Sequence, residues 1–372
     1  MTSALDYLIE LLAFTGLDHS ILVVLAIHIP ALAIFLVMVV NATIAVYVER
    51  KVAAFMQDRL GPMEVGLFGF KGGRRFWGGI GQTIADAIKL LTKEDIVPDN
   101  ADKKLMLLAP FIIFIGAFLT FIAVPFSENL VVSDFNVGIF YIIAMSSVGV
   151  IGIILAGWSS NNKWSLYGAM RAAAQIVSYE IPIGLTLLLV VIVAGSLNLG
   201  DIVQWQADNR WFIIHSPFTF VAFFIYFISV VAETNRTPFD IPEAESELVA
   251  GWMTEYSGFK WAIFFLSEYA NMLIVSIVAS VVFLGGWLSP LAILNIGIPE
   301  SWMILDGPIL GFFWVMLKAL FLVFVMMWFR WTFPRLRVDQ LMYLCWKVFI
   351  PFSLANLFFV SIWELISGTI FR

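Results

Sequence analysis

Three ionisable residues interrupt runs of the chain that are otherwise apolar. Glu180 lies nine residues after Arg171, Glu268 eight after Lys260, and Lys318 twelve before Arg330. In helices rising about 1.5 Å per residue, these groups lie on the order of 13, 12 and 18 Å from the charged ends of their runs. That is near the middle of a hydrocarbon core roughly 30 Å thick. A lipid-facing charge at that depth costs roughly 2.5–3.5 kcal/mol, so all three should face a protein interior, paired or hydrated. A static Glu–Lys pair that fixes helix packing is one reading. A path for protons or ions is the other, and the unbalanced set of two acids and one base favours it. Pro182 removes a helix hydrogen bond two residues after Glu180, and the freed backbone group could hold water beside the acid.

A second constellation is the segment AETNRTPFDIPEAESELVAG (232–251), where Glu233, Asp240, Glu243, Glu245 and Glu247 face one cation, Arg236. Asp240-Ile-Pro-Glu243 also matches a helix start, with Asp240 as N-cap and Glu three residues on. That reading leaves Glu233, Glu245 and Glu247 unexplained, and Glu243 and Glu247 would repel at i,i+4. Withdrawn from bulk water, such a cluster titrates as a unit; as a solvated loop it does not. Cations gather instead at FRWTFPRLRVDQL (329–341), with Arg330, Arg335 and Arg337. They read either as snorkelling anchors or as a docking surface for an acidic partner. VERKVAAFMQDRLGP (48–62) places Glu49, Arg50 and Lys51 at the end of an apolar run, followed by Gln57 and Arg59. These charges read as interface anchors or as the lining of an entrance from the membrane surface.

The elements that must carry these residues follow from composition. The 372 residues are 61% hydrophobic and 13% charged, about half the charge of an average soluble domain. The expected fold is an all-α integral membrane protein. Eight transmembrane helices are predicted at about 22–47, 105–125, 138–157, 173–195, 217–235, 260–286, 308–329 and 348–368. Residues 4–14 are too short to span and carry Asp6 and Glu10, so they read as an N-terminal interfacial helix. No Lys or Arg precedes them, which argues against a signal peptide. Within GQTIADAIKLLTKEDIVP (81–98), Ile84, Ile88 and Leu91 alternate with Asp86, Lys89 and Lys93 at helical spacing, predicting an amphipathic helix. No linker divides the chain, so residues 1–372 read as a single integral domain.

The connections after spans 1, 3, 5 and 7 hold 10, 2, 2 and 4 Lys and Arg, with Lys260 counted in the third figure. By the positive-inside rule they face the cytoplasm, or the matrix of an organelle, and both termini face the other way. A single cysteine, Cys345, allows no internal disulfide, iron–sulfur cluster or tetrahedral zinc site. His19, His28 and His215 show no ligand spacing. The net charge of −6 argues against nucleic acid. No P-loop or dinucleotide fingerprint is present, so no nucleotide is expected.

Taken together, VERKVAAFMQDRLGP, ADAIKLLTKE (85–94), RAAAQIVSYEIP (171–182), AETNRTPFDIPEAESELVAG and FRWTFPRLRVDQL resemble, in order, the motifs of one family. It is the family of the H subunit (subunit 1) of proton-translocating NADH:quinone oxidoreductase, respiratory complex I. The resemblance runs from about 25 to 365. It implies a tilted eight-helix bundle that forms the membrane side of a quinone chamber against soluble quinone-site subunits, beside small membrane subunits. Quinone would be the substrate, and electrons would arrive through other subunits, with no redox activity in the lone chain. Bacterial inner (plasma) membrane is implied more than an organelle inner membrane, with both termini periplasmic.

By matching motif positions, Glu180, Glu233, Asp240, Glu243, Glu245, Glu247 and Glu268 would form an acidic funnel, with Asp86 and Glu94 at its border; Lys318, from its depth in its span, is read as a member of the same proton pathway. Arg50, Gln57, Arg59, Arg236 and Phe239 would lie at the quinone chamber. Residues 63–81 depart from the family: the segment is longer, adds Lys71, Arg74 and Arg75, and is followed by Thr83 where proline is common. No role is carried over to 63–80. The membrane subunit of an energy-converting hydrogenase or related dehydrogenase is the nearest alternative, separable by quinone dependence. A stand-alone proton-coupled transporter is a more distant one, since the halves show no convincing repeat.

Overall fold

The structure, a computed structural model, describes residues 18–66, 78–128, 130–290 and 308–370, together with Ile9. The predicted interfacial helix at 4–14 lies outside them, apart from Ile9. The chain is helical, with no strand among the described residues. The first helix, α1 (His19–Met56), runs 38 residues, well beyond its predicted apolar stretch, and carries Glu49, Arg50 and Lys51 within its last turns. It is followed by α2 (Gly81–Thr92), α3 (Lys103–Thr120), α4 (Gly138–Ser159), α5 (Lys163–Ala194) and α6 (Leu199–Asp208). Then come α7 (Pro217–Glu233), α8 (Gly258–Phe283), α9 (Pro308–Thr332), α10 (Val338–Tyr343) and α11 (Ile350–Ile370). A π-helical segment, Leu344–Phe349, joins the last two without a break.

Seven helical stretches among the described residues are long and apolar enough to cross a bilayer. The continuous run from Val338 counts as one of them. The remaining predicted span is α7, which is apolar but only 17 residues long, at the short limit for crossing. Side chains set several helix starts. Asp102 accepts from the amides of Lys104 and Leu105 at the head of α3, and Ser216 and Thr219 close a capping box on α7, with Pro217 in its first turn. α2 is amphipathic as expected, and its Ile84, Ile88 and Leu91 are exposed.

α8 is the axis of the bundle, packed against α1, α2, α3, α7 and α9, and it is the most buried of the spanning helices. α3, α4 and α5 pack side by side. Close approach of α3 and α4 depends on Gly152, where a Cβ would stand 2.4 Å from Ile113 Cγ1, as small residues permit in membrane helices. A satellite core of Trp252, Met253, Tyr256 and Phe264 pins residues 251–256 onto these three helices.

The segment 234–257 does not start a helix at Asp240. Its one α-helical turn is Glu245–Leu248, with Ala244 at the cap position, and a 3₁₀ turn follows at Gly251–Met253. Residues 239–244 make consecutive turns instead, with Ile241 N donating to Phe239 O and Ala244 N to Ile241 O. Asp240 is engaged by Arg335 from the far end of the chain. Gly251 closes the loop at φ +54°, where a Cβ would lie 1.9 Å from Pro242 O. Only glycine fits there.

Candidate functional site

The loop and the inner ends of α1, α8 and α9 meet around Glu49. This carboxylate is buried, accepts the Tyr269 hydroxyl at 2.5 Å, and is bonded by Arg330. Arg236 Nη1 stands 3.5 Å away, and Arg236 Nη2 lies 3.0 Å from Glu268. The guanidinium also covers the Tyr269 ring, 4.5 Å from its centroid. Arg236 is 4% exposed. Burial works against its charge, but Glu268, Tyr269 and Glu49 outweigh that and keep it firmly protonated. Two carboxylates and two guanidiniums thus form a network centred on the buried Glu49 and Arg236, with Arg330 and Glu268 at its partly exposed edge.

Three adjacent charges on α1 separate because a helix turns about 100° per residue. Glu49 points inward, while Arg50 faces out and binds Asp86 of α2 at 2.6 Å. Lys51 folds back to donate to the carbonyls of Leu60 and Pro62, closing the turn after the helix. Asp86 also accepts from Gln82 and faces Lys89. Partial burial alone would raise Asp86, but Arg50 holds it below the usual carboxylate range.

From the network the acids lead inward. Asp240 is bonded by Arg335 at 3.2 Å, and burial raises its pKa in spite of the nearby arginines. Glu243 is pushed well above the carboxylate range, first by burial and then by the charges of Glu268 and Asp240. Glu243, Glu268, Glu233 and Asn271 line a cavity of about 50 Å³, enough for one or two waters. Glu233 ends α7 within electrostatic reach of Glu180. Glu180 accepts from Ser147 of α4 at 3.0 Å. Asp240, Glu243, Glu268, Glu233 and Glu180 therefore form a series from the loop to the interior of the bundle.

Other sequence-predicted residues stand apart. Glu247 is exposed and paired with Arg171 at 2.6 Å, off the cavity, so no i,i+4 repulsion with Glu243 arises. The Glu245 side chain lies outside the described residues. Gln57, Arg59 and Glu94 are exposed. Phe239 is buried against Tyr179, and its carbonyl, with that of Ala232, accepts from Gln175. Lys318 has no acidic partner among the described residues. It donates to the carbonyls of Leu284, Gly286 and Leu288 at 2.7–2.8 Å and sits over the Trp211 ring. It caps the end of α8, and the static Glu–Lys pair is not formed. Nor does the carbonyl freed by Pro182 face water: Cys345 donates to it at 3.1 Å.

Glu49, Tyr269 and Arg330 were residues that sequence reasoning missed as site members. Glu49 looked like an interface anchor beside two cations. The signal available was its register, since it alone of the three shares a face with the buried residues Asn41, Ala42 and Ala45. Among the described residues, no three His, Cys, Asp or Glu side chains gather as metal ligands would.

An apolar all-α bundle that encloses a series of carboxylates and a buried arginine is an integral membrane protein with a charged interior. Its family can be stated. The NADH dehydrogenase family profile matches residues 29–361, and the chain belongs to that family. Among curated relatives, the H subunit of NADH-quinone oxidoreductase from Chlorobaculum tepidum is 54% identical over 86% of this chain and 87% of its own length. The protein of the same name from Chlorobaculum parvum is 52% identical over 90% of this chain and 91% of its own length. That of Bacteroides thetaiotaomicron is 49% identical over 86% of each.

Proposed function

We propose that this chain is the membrane subunit of a bacterial NADH:quinone oxidoreductase that couples quinone reduction to proton translocation. The observation that carries the reading is the series Asp240–Glu243–Glu268–Glu233–Glu180, which begins at a loop tied to the Glu49–Arg236–Arg330 network and ends inside the bundle. Quinone reduction takes up two protons and changes the charge beside the loop. Asp240 and Glu243, whose protonated forms burial favours, can answer that change. The Arg236–Glu49–Arg330 network has buried donors and acceptors in fixed places, which suits the inner wall of a chamber for a polar quinone headgroup. Arg50, Gln57 and Arg59, exposed on the same side, would line its mouth, with soluble quinone-site subunits as the opposite wall. Electrons would come from those partners; this chain would hold no nucleotide, cluster or metal. The chain would lie in the plasma membrane as one domain with eight crossings, α7 included.

The test uses the assembled complex in inverted membrane vesicles. Glu180→Gln and Glu243→Gln should each assemble, seen on a native gel. Each should lower NADH:quinone activity and proton uptake together by about tenfold or more, as expected for removal of an acid–base group. Normal proton uptake in an assembled Glu180→Gln, Glu243→Gln double variant would leave these carboxylates as structural.

A further inference from the structure

Pro182 has no N–H, so the carbonyl four residues earlier, that of Ser178, loses its helical donor. α5 nevertheless runs unbroken through this point. The replacement comes from another helix. Cys345, fully buried in the π-helical segment Leu344–Phe349, donates its thiol to Ser178 O at 3.1 Å. Trp346 Nε1 donates to the Ser178 hydroxyl at 3.3 Å. In return the Tyr179 hydroxyl donates to Leu341 O at 3.0 Å, one turn before that segment. Side chains at successive positions of an α-helix diverge by about 100°. The wider π turn lets Cys345 and Trp346 converge on one residue, Ser178, and π turns of this kind are frequent at functional sites.

The residues so clamped, 178 and 179, immediately precede Glu180. From the other side Ser147 of α4 bonds the Glu180 carboxyl at 3.0 Å, and Glu233 at the end of α7 is the titratable group within electrostatic reach of it. We propose that Cys345 is a positioning residue for Glu180: its thiol takes the place of the amide Pro182 lacks and fixes the orientation in which the Glu180 carboxyl meets Ser147 and Glu233. The proposal rests on the reading of Glu180 as a member of the proton path.

The experiment compares Cys345→Ala, Cys345→Ser, Pro182→Ala and the Pro182→Ala, Cys345→Ala double variant, with Glu180→Gln alongside, all in the assembled complex in vesicles. NADH:quinone activity and proton uptake are measured across pH. Cys345→Ala should lower the coupled rate about fivefold, the equivalent of one buried carbonyl left unpaired. It should also move the pH of half-maximal rate by about half a unit or more. Cys345→Ser keeps a donor and should stay near the parent profile. In the Pro182→Ala background the backbone N–H returns to Ser178 O, so Cys345→Ala should add little.

An equal effect of Cys345→Ala in both backgrounds, or a lower yield with an unmoved pH profile, overturns the proposal and marks Cys345 as packing alone. Normal pumping in Glu180→Gln instead overturns the reading beneath it. A second readout needs no turnover. The Cys345 S–H stretch, isolated as the infrared difference between parent and Cys345→Ser, should sit at a hydrogen-bonded frequency and shift in Glu180→Gln. A free-thiol frequency, or one that Glu180→Gln does not move, also overturns it.

Discussion

Arg236 is held by two carboxylates and an aromatic face, and none of these partners reaches water easily. Removing one member of such a network costs far more than the network contributes, because it leaves charges buried without partners. Arg236→Ala should therefore destabilise the subunit by about 3–5 kcal/mol, seen as loss of assembled complex and a lower thermal midpoint in detergent. Arg236→Lys should recover assembly better than activity, since an ammonium cannot span Glu49 and Glu268 as a planar fork does. Glu247 is the contrasting case. Its pair with Arg171 is largely exposed, so Glu247→Gln should change stability by less than about 1 kcal/mol. Quinone reductase activity should stay within about twofold of the parent on the same small scale of interaction energy. A severe defect in Glu247→Gln would show that a partner subunit buries this carboxylate in the complex. Residue types and spacing made the acids visible in the sequence, but not their partners. Asp240 is claimed by Arg335, 95 positions away, and Lys318 by backbone carbonyls. A linear pattern carries no sign of either.

At the scale of elements, the loop 234–257 is fastened at both ends and irregular between. Leu336 N donates to Pro238 O, Gln175 binds Phe239 O, and Trp252 to Tyr256 sink into the satellite core. Between these ties the chain has turns, one helical turn, and the raised carboxyls of Asp240 and Glu243. An acid whose folded pKa exceeds its unfolded value binds a proton more tightly when folded. Its contribution to local stability is complete below the unfolded pKa and is lost as pH rises toward the folded one. Amide exchange in 239–250, corrected for intrinsic rates, should therefore show protection falling from weakly acid toward neutral and higher pH. Glu243→Gln should flatten that dependence. The opposite slope, with protection growing as pH rises, would mean that Glu243 is ionised and paired. Seven of the predicted spans were legible because apolar length is a property of the sequence alone. The helix start at Asp240 failed because the N-cap signature is local, whereas Arg335 and the close packing of Gly251 on Pro242 are not. The role of Pro182 was half legible: the missing amide is written in the sequence, but the thiol that replaces it comes from a π turn no periodicity announces.

For the whole molecule, contacts between connections sort the chain into two ends. Asn161 bonds Asn100 O, Asn162 bonds Glu255, Ser257 bonds Glu94 O, and Arg335 binds Asp240. These bonds join the connections rich in Lys and Arg. At the other end Asn198 bonds Asp134, Gln206 binds Gly285 N, and His215 pairs with Glu364 near the chain's end. α7 begins at Pro217, next to His215 of the second group, and ends at Glu233 beside the first. It joins the two ends as the longer helices do, which supports eight crossings although its 17 residues are few. Charge counting and packing are independent arguments, and they agree on which connections share a side. Topology reporters near 165, 245 and 335 should read as cytoplasmic, and reporters near 130 and 205 as periplasmic. The reporter pair at 205 and 245 decides most, because α7 is the only predicted span between them. If both report the periplasm, α7 is a re-entrant helix, the crossings number seven among the described residues, and the acidic loop cannot face the soluble subunits that would deliver electrons to quinone.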